Sequence, residues 1–131
     1  MSNLTFELVG EEKVQEHLKP DTIKKPMAET IKKAITFLDR SVKTSTPVDS
    51  DRLRSSITSQ VTAESGKVFT NVEYAPFVEY GTKNMQARHV VEGSSVRILG
   101  KGPFTYALEL LQAKMGELLH DLYTGIQSRF G

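Results

Sequence analysis

PFTYALELLQAKMGELLHDLYTGIQSRF, residues 103–130, decides the fold. Phe104, Leu108, Leu111, Met115, Leu118, Leu122, Ile126 and Phe130 recur at spacings of three and four. Glu109, Gln112, Lys114, Glu117, Asp121 and Ser128 fall off that stripe. The pattern winds one apolar face onto an α-helix over 104–130. Pro103 suits its start, because the first turn of a helix has no N–H bond for a proline to lose. A helix of this length with one apolar stripe needs a second layer to cover it.

Working back from it, Met27, Ile31, Ile35, Leu38 and Val42 repeat at the same spacings, with Lys32, Lys33, Asp39, Arg40 and Lys43 off the stripe. That is a second amphipathic helix, 27–45. Asp21 can cap it and Pro26 is expected in its first turn. Pro47 ends it, since the residue before a proline avoids helical angles. Ahead of it, Leu4, Phe6 and Leu8 alternate with Thr5, Glu7 and Val9 as an edge strand ending at Gly10, followed by a small helix over 11–18. Residues 53–74 read as an antiparallel hairpin. Leu53, Ile57 and Val61 share one face of its first strand, 64–67 form the turn, and Val68 and Val72 lie on the return strand. Ala75-Pro76 breaks that strand, and Phe77, Val78 and Tyr80 form an apolar knot before Gly81. In 81–103, His89-Val90-Val91 and Val96-Arg97-Ile98-Leu99 flank Glu92-Gly93-Ser94-Ser95 as a small hairpin, in a stretch long for a connection. The expectation is an α+β fold in one domain, 1–131. A small antiparallel sheet packs against the two long helices, and an extended loop or hairpin arm covers 83–102.

Composition narrows the function. At 38% apolar and 25% charged residues the chain suits a soluble globular protein. Its formal net charge of +1 gives bulk electrostatics no case for nucleic acid or membrane. Without cysteine there is no disulfide, thiolate metal site or cysteine nucleophile, which fits synthesis in a reducing cytosol. The start lacks the blocks of a signal peptide, and no apolar run is long enough to span a bilayer.

The chemistry-bearing residues do not assemble into a reaction centre. Asp49, Asp51 and Glu79 could be imagined as an acid–base group or a small hydrolase site, but a turn role for Asp49 fits its neighbours better. His17, His89 and His120 lack ligand spacing, the serines and threonines of 55–59 have no nucleophile elbow, and Gly100-Lys101-Gly102 is not a phosphate loop. No cofactor, no metal and no enzyme activity are expected. In the arm, Lys83, Arg88, Arg97 and Lys101 face a single acid, Glu92. They read either as a solvated loop, as an arm ordered on a neighbour, or as a nucleic-acid contact of an adaptor protein. Arg52 and Arg54 straddle Leu53, with Asp49, Asp51 or Glu79 as expected partners.

Two segments carry a resemblance. Thr46-Pro47-Val48-Asp49-Ser50-Asp51-Arg52-Leu53-Arg54-Ser55-Ser56-Ile57 and Tyr74-Ala75-Pro76-Phe77-Val78-Glu79-Tyr80-Gly81-Thr82 are similar to the two motifs of the tail-completion (head–tail joining, or neck) proteins of long-tailed bacteriophages. Pro47, Val48, Asp49, Arg52, Leu53 and Ile57 match the first motif; Tyr74, Ala75, Val78, Glu79, Gly81 and Thr82 match the second. The resemblance implies a small α+β subunit of the virion, made in the host cytoplasm, that forms a ring at the head-proximal end of the tail. It favours a hexamer of this chain, with tail-tube or tail-terminator and head-closure proteins as partners, no membrane, and DNA contact at most through the ring lumen. The expected interface residues are Arg52, Arg54, Phe77, Tyr80, Lys83, Arg88 and Arg97. The chain departs from the pattern twice. Asp51 replaces the glycine before Arg-Leu, where a tight turn is expected, and residues 89–102 separate Ala87-Arg88 from Pro103-Phe104 as an inserted arm.

Overall fold

The structure, a computed structural model, describes residues 4–9, 20–47, 51–94 and 96–130. The expected helix over 11–18 and the turn residue Asp49 lie outside them. The fold is α+β. In chain order it runs β1 (Leu4–Val9), α1 (Pro20–Ser45), α2 (Asp51–Ser56), β2 (Thr58–Val61), β3 (Ser65–Thr70), α3 (Ala75–Tyr80), β4 (Arg88–Val90), β5 (Arg97–Leu99) and α4 (Pro103–Phe130).

Strand β3 is central in a three-stranded antiparallel sheet ordered β1-β3-β2, with Phe6 and Ser59 both opposite Val68. Gly66, Val68 and Thr70 are its buried positions, as period-two alternation demands. Helices α1 and α4 pack antiparallel along each other, Phe37 beneath Lys114 and Pro26 beside Gly125. Their apolar stripes meet in one core: Ile31, Ala34, Ile35, Leu38 and Val42 of α1 against Phe104, Ala107, Leu111 and Leu118 of α4, with Val68 from the sheet and Ile57. Beyond Leu118 the stripe continues half-buried at Leu122 and Ile126, while Leu119 and Tyr123, off the stripe, are exposed.

Three sequence expectations change. Pro26 lies inside α1 rather than in its first turn, because Pro20 takes the first helical position. Residues 51–56 are helical, and the strand expected from Leu53 begins only at Thr58. A spacing of four between Leu53 and Ile57 fits either a strand or a helix, and Asp51 in the first turn favours the helix. Asp51 therefore opens α2 instead of making a left-handed turn, and no non-glycine among the described residues has positive φ. Residues 75–80 form α3 rather than an irregular knot: Pro76 falls in a first turn and initiates helix there.

Candidate assembly surface

The two motifs meet in a corner between the long helices. Leu53 of α2 packs with Val72, Ala75 and Val78, flanked by Tyr74, in a second apolar cluster. Thr46 is buried at the end of α1, its hydroxyl donating to the Val42 carbonyl at 2.7 Å. The Thr46 carbonyl in turn accepts Nη2 of Arg54 at 2.6 Å. Half-buried Arg54 thus braces the α1–α2 corner from inside. Arg52 reaches neither Asp51 nor Glu79; it makes a two-armed pair with Glu73, at 3.0 and 3.1 Å, out in solvent.

Glu79 has the most constrained position. It is 2% exposed, and its carboxylate accepts the Phe104 N–H at 3.0 Å, the Thr105 N–H at 2.7 Å and the Thr105 hydroxyl at 2.6 Å. These amides belong to the first turn of α4, where no residue four back can accept them. Glu79 is a helix cap delivered from another helix. Gly102 makes room for it, since a Cβ there would overlap the Glu79 carboxylate. Burial pushes the Glu79 carboxyl above its ordinary range, while the Thr105 hydroxyl, the Thr105 and Phe104 amides and His89 pull the other way. Gly81 then ends α3 at φ +81°, and its bridge to Gln86 opens the arm.

The arm is a two-stranded antiparallel hairpin, Arg88 opposite Leu99 and Val90 opposite Arg97. Its base is fastened to α4. His89 is buried, stacks on Tyr106 with ring centroids 4.1 Å apart, and bonds the Lys101 carbonyl through Nδ1 at 2.9 Å. Lys101 pairs with Glu109 at 2.7 Å, and at the tip Glu92 pairs with Arg40 of α1 at 2.9 Å. Strand β4 is therefore the inner strand and β5 the outer, exposed along its whole length.

The exposed apolar groups are concentrated here. Seven of the ten large hydrophobic side chains exposed among the described residues fall between Phe77 and Leu99. Phe77 and Tyr80, three apart on the outer side of α3, are 54% and 67% exposed; Met85 follows, and Val91, Val96, Ile98 and Leu99 line the arm. A cavity of about 370 Å³ lies beside β5, lined by His89, Ile98, Leu99 and Tyr106.

The expected interface residues separate accordingly. Phe77, Tyr80, Lys83 and Arg97 lie on this exposed belt. Arg88 is half-buried at the foot of the arm, and Arg52 and Arg54 belong to the motif corner. The cations of the arm do not form one free patch, because Lys101 is held by Glu109 and Arg88 is drawn inward. Among the described residues, no group of His, Asp and Glu is placed to hold a metal ion, and no helix is long and apolar enough to cross a membrane. The capping role of Glu79 was missed from sequence. The available signal was Gly102-Pro103-Phe104, a helix start with no Ser, Thr, Asp or Asn to cap it locally.

Residues 11–81 match the family model HK97-gp10-like, described as a tail component of bacteriophage HK97 gp10 type. The match takes in the first motif and the second as far as Gly81, one residue short of Thr82, and stops where the arm begins. No curated protein and no solved structure matches the chain.

Proposed function

The chain belongs to the HK97-gp10-like family of bacteriophage tail components, and from that premise we propose that it is a ring-forming subunit of the virion neck. In this reading it closes the head-proximal end of the tail and joins the tail to the head. It acts by complementary surfaces and without bond chemistry. The observation that supports this is the apolar belt from Phe77 to Leu99, which is exposed in the single chain. A ring requires a heterologous contact, in which two different patches of the same chain meet. The belt offers one of them, and the outer strand of the arm adds an open backbone edge to it. Glu79, the carboxylate that invites an acid–base reading, is occupied in capping α4.

The reading is tested in the parent phage with the double substitution Phe77→Ser, Tyr80→Ser. Both side chains are exposed, so the folded chain should lose no more than about 0.5 kcal/mol. Electron microscopy of the lysate is expected to show filled heads and free tails that fail to join. Normal numbers of joined particles, with the variant chain present at wild-type level, would sink the proposal.

A further inference from the structure

The exposed belt is not one surface. At its start Phe77 and Tyr80 stand out from α3, with Met85 after them; at its end Val96, Ile98 and Leu99 stand out from the outer side of the arm. The two halves are apart in the fold. Glu79 points from α3 into the first turn of α4. At 100° per residue, Phe77 lies about 160° around α3 from Glu79 and Tyr80 about 100°. Both rings therefore stand on the side of α3 turned from α4. The cavity of about 370 Å³ beside β5 lies on the flank of α4 instead, with Tyr106 and Glu109 as its α4 wall. Neither Phe77 nor Tyr80 lines it, so the chain does not fill this cavity with its own exposed rings.

The cavity suits an aromatic side chain with a polar tip. The stacked rings of His89 and Tyr106 back it, Ile98 and Leu99 form its outer lip, and the Lys101–Glu109 pair sits at its rim. Aromatic rings pack offset or edge-on against such a wall, and a phenol hydroxyl finds its hydrogen-bond partner at a charged rim. Tyr80, 67% exposed, has that form. The areas also match. At about 200 Å² for a fully exposed large side chain, Phe77, Tyr80 and Met85 expose about 300 Å², and Val96, Ile98 and Leu99 about the same. Joined, they cover about 600 Å², roughly two-thirds of the about 900 Å² of apolar surface in a standard interface.

We propose that the two halves of the belt are the two sides of one contact: Phe77 and Tyr80 of one copy seat in the arm cavity of the next. Each copy then gives its α3 rings in one direction and its arm cavity in the other, the head-to-tail arrangement that closes into a ring. The inference rests on the ring reading above and names the complement which that reading needs.

The test is complementation between two variants of the full chain, read by light scattering coupled to size exclusion. Phe77→Ser/Tyr80→Ser removes the rings and keeps the cavity; Ile98→Ser/Leu99→Ser removes the lip of the cavity and keeps the rings. Circular dichroism checks that both are folded, and Leu99→Glu, at a position 59% exposed, replaces the second variant if it is not. Each variant alone is expected at 14.6 kDa where wild type assembles, and their equimolar mixture at twice that mass, because one intact contact forms per pair. A mixture that stays at 14.6 kDa while wild type forms a ring overturns the proposal and leaves the ring reading standing. An arm variant that assembles as wild type does the same. A Phe77→Ser/Tyr80→Ser chain that still assembles overturns it in favour of Tyr123, the other exposed tyrosine, as the occupant. A wild type that stops at a pair overturns it in favour of a two-fold contact, in which each half meets its own copy. A wild type that stays single at every concentration overturns the ring reading, and the proposal with it.

Discussion

Replacing Glu79 by alanine is expected to cost about 3 kcal/mol of folding stability, measured as a shift in the denaturant midpoint at unchanged slope. Glu79 serves three donors at once, and two of them are backbone amides that cannot turn elsewhere. Removing their acceptor strands the Phe104 N–H in a buried site, at about 1–3 kcal/mol for each such group. It also removes a negative charge from the positive end of α4, the helix that covers the core. Glu79→Gln should cost less, because an amide oxygen can keep part of the cap. The two variants also differ from wild type in their pH dependence. Burial raises the Glu79 pKa in the folded chain above its unfolded value, so the folded state holds this proton more tightly. Its contribution is then greatest at acid pH and declines as pH rises from the ordinary carboxylate value of 4.5 through the raised folded one. Subtracting the Glu79→Gln curve from the wild-type curve isolates that slope. A difference that grows with rising pH in that window would contradict the assignment.

Phe104→Ala is expected to cost about 3–5 kcal/mol, the range for deleting a buried aromatic ring. Phe104 is 1% exposed, and sits where α4 begins, among Ile57, Val68 and the α1 stripe. The ring ties sheet, corner and both long helices into one core, so little local collapse can fill its space. Thermal unfolding followed by circular dichroism measures the loss. A shift of only a few degrees would mean that the start of α4 is not packed as described.

Which parts of this fold were legible in the sequence follows from length and locality. Helices α1 and α4 repeat their apolar residues over many turns, so the period could not be mistaken for a strand. The hairpin of β2 and β3 and that of the arm were visible because alternation stops at turn residues in each. Short elements were not. In α2, the pair Leu53 and Ile57 satisfies two periods at once, and six residues give no third repeat to choose between them. In α3, Pro76 was read as a break although it stands where a helix starts. The role of Glu79 could not be read locally at all, since its partners lie 25 and 26 residues further along.

The same separation divides the motif residues from the surface. Leu53, Arg54, Ala75, Val78 and Glu79 are turned inward and fix the corner from which α3 and the arm project. Phe77 and Tyr80, interleaved with them, are turned outward. In the proposed reading the motifs are a frame for the belt, and the belt is where partners meet it.

The central claim, that this tail component works by self-assembly through the belt, is tested most directly by its solution mass. Light scattering coupled to size exclusion, over a concentration series, is expected to give a discrete ring-sized multiple of 14.6 kDa, about sixfold. The Phe77→Ser/Tyr80→Ser chain should elute folded at the mass of one subunit. A wild-type chain that stays at 14.6 kDa at every concentration would contradict the account, as would a double variant that assembles as wild type does.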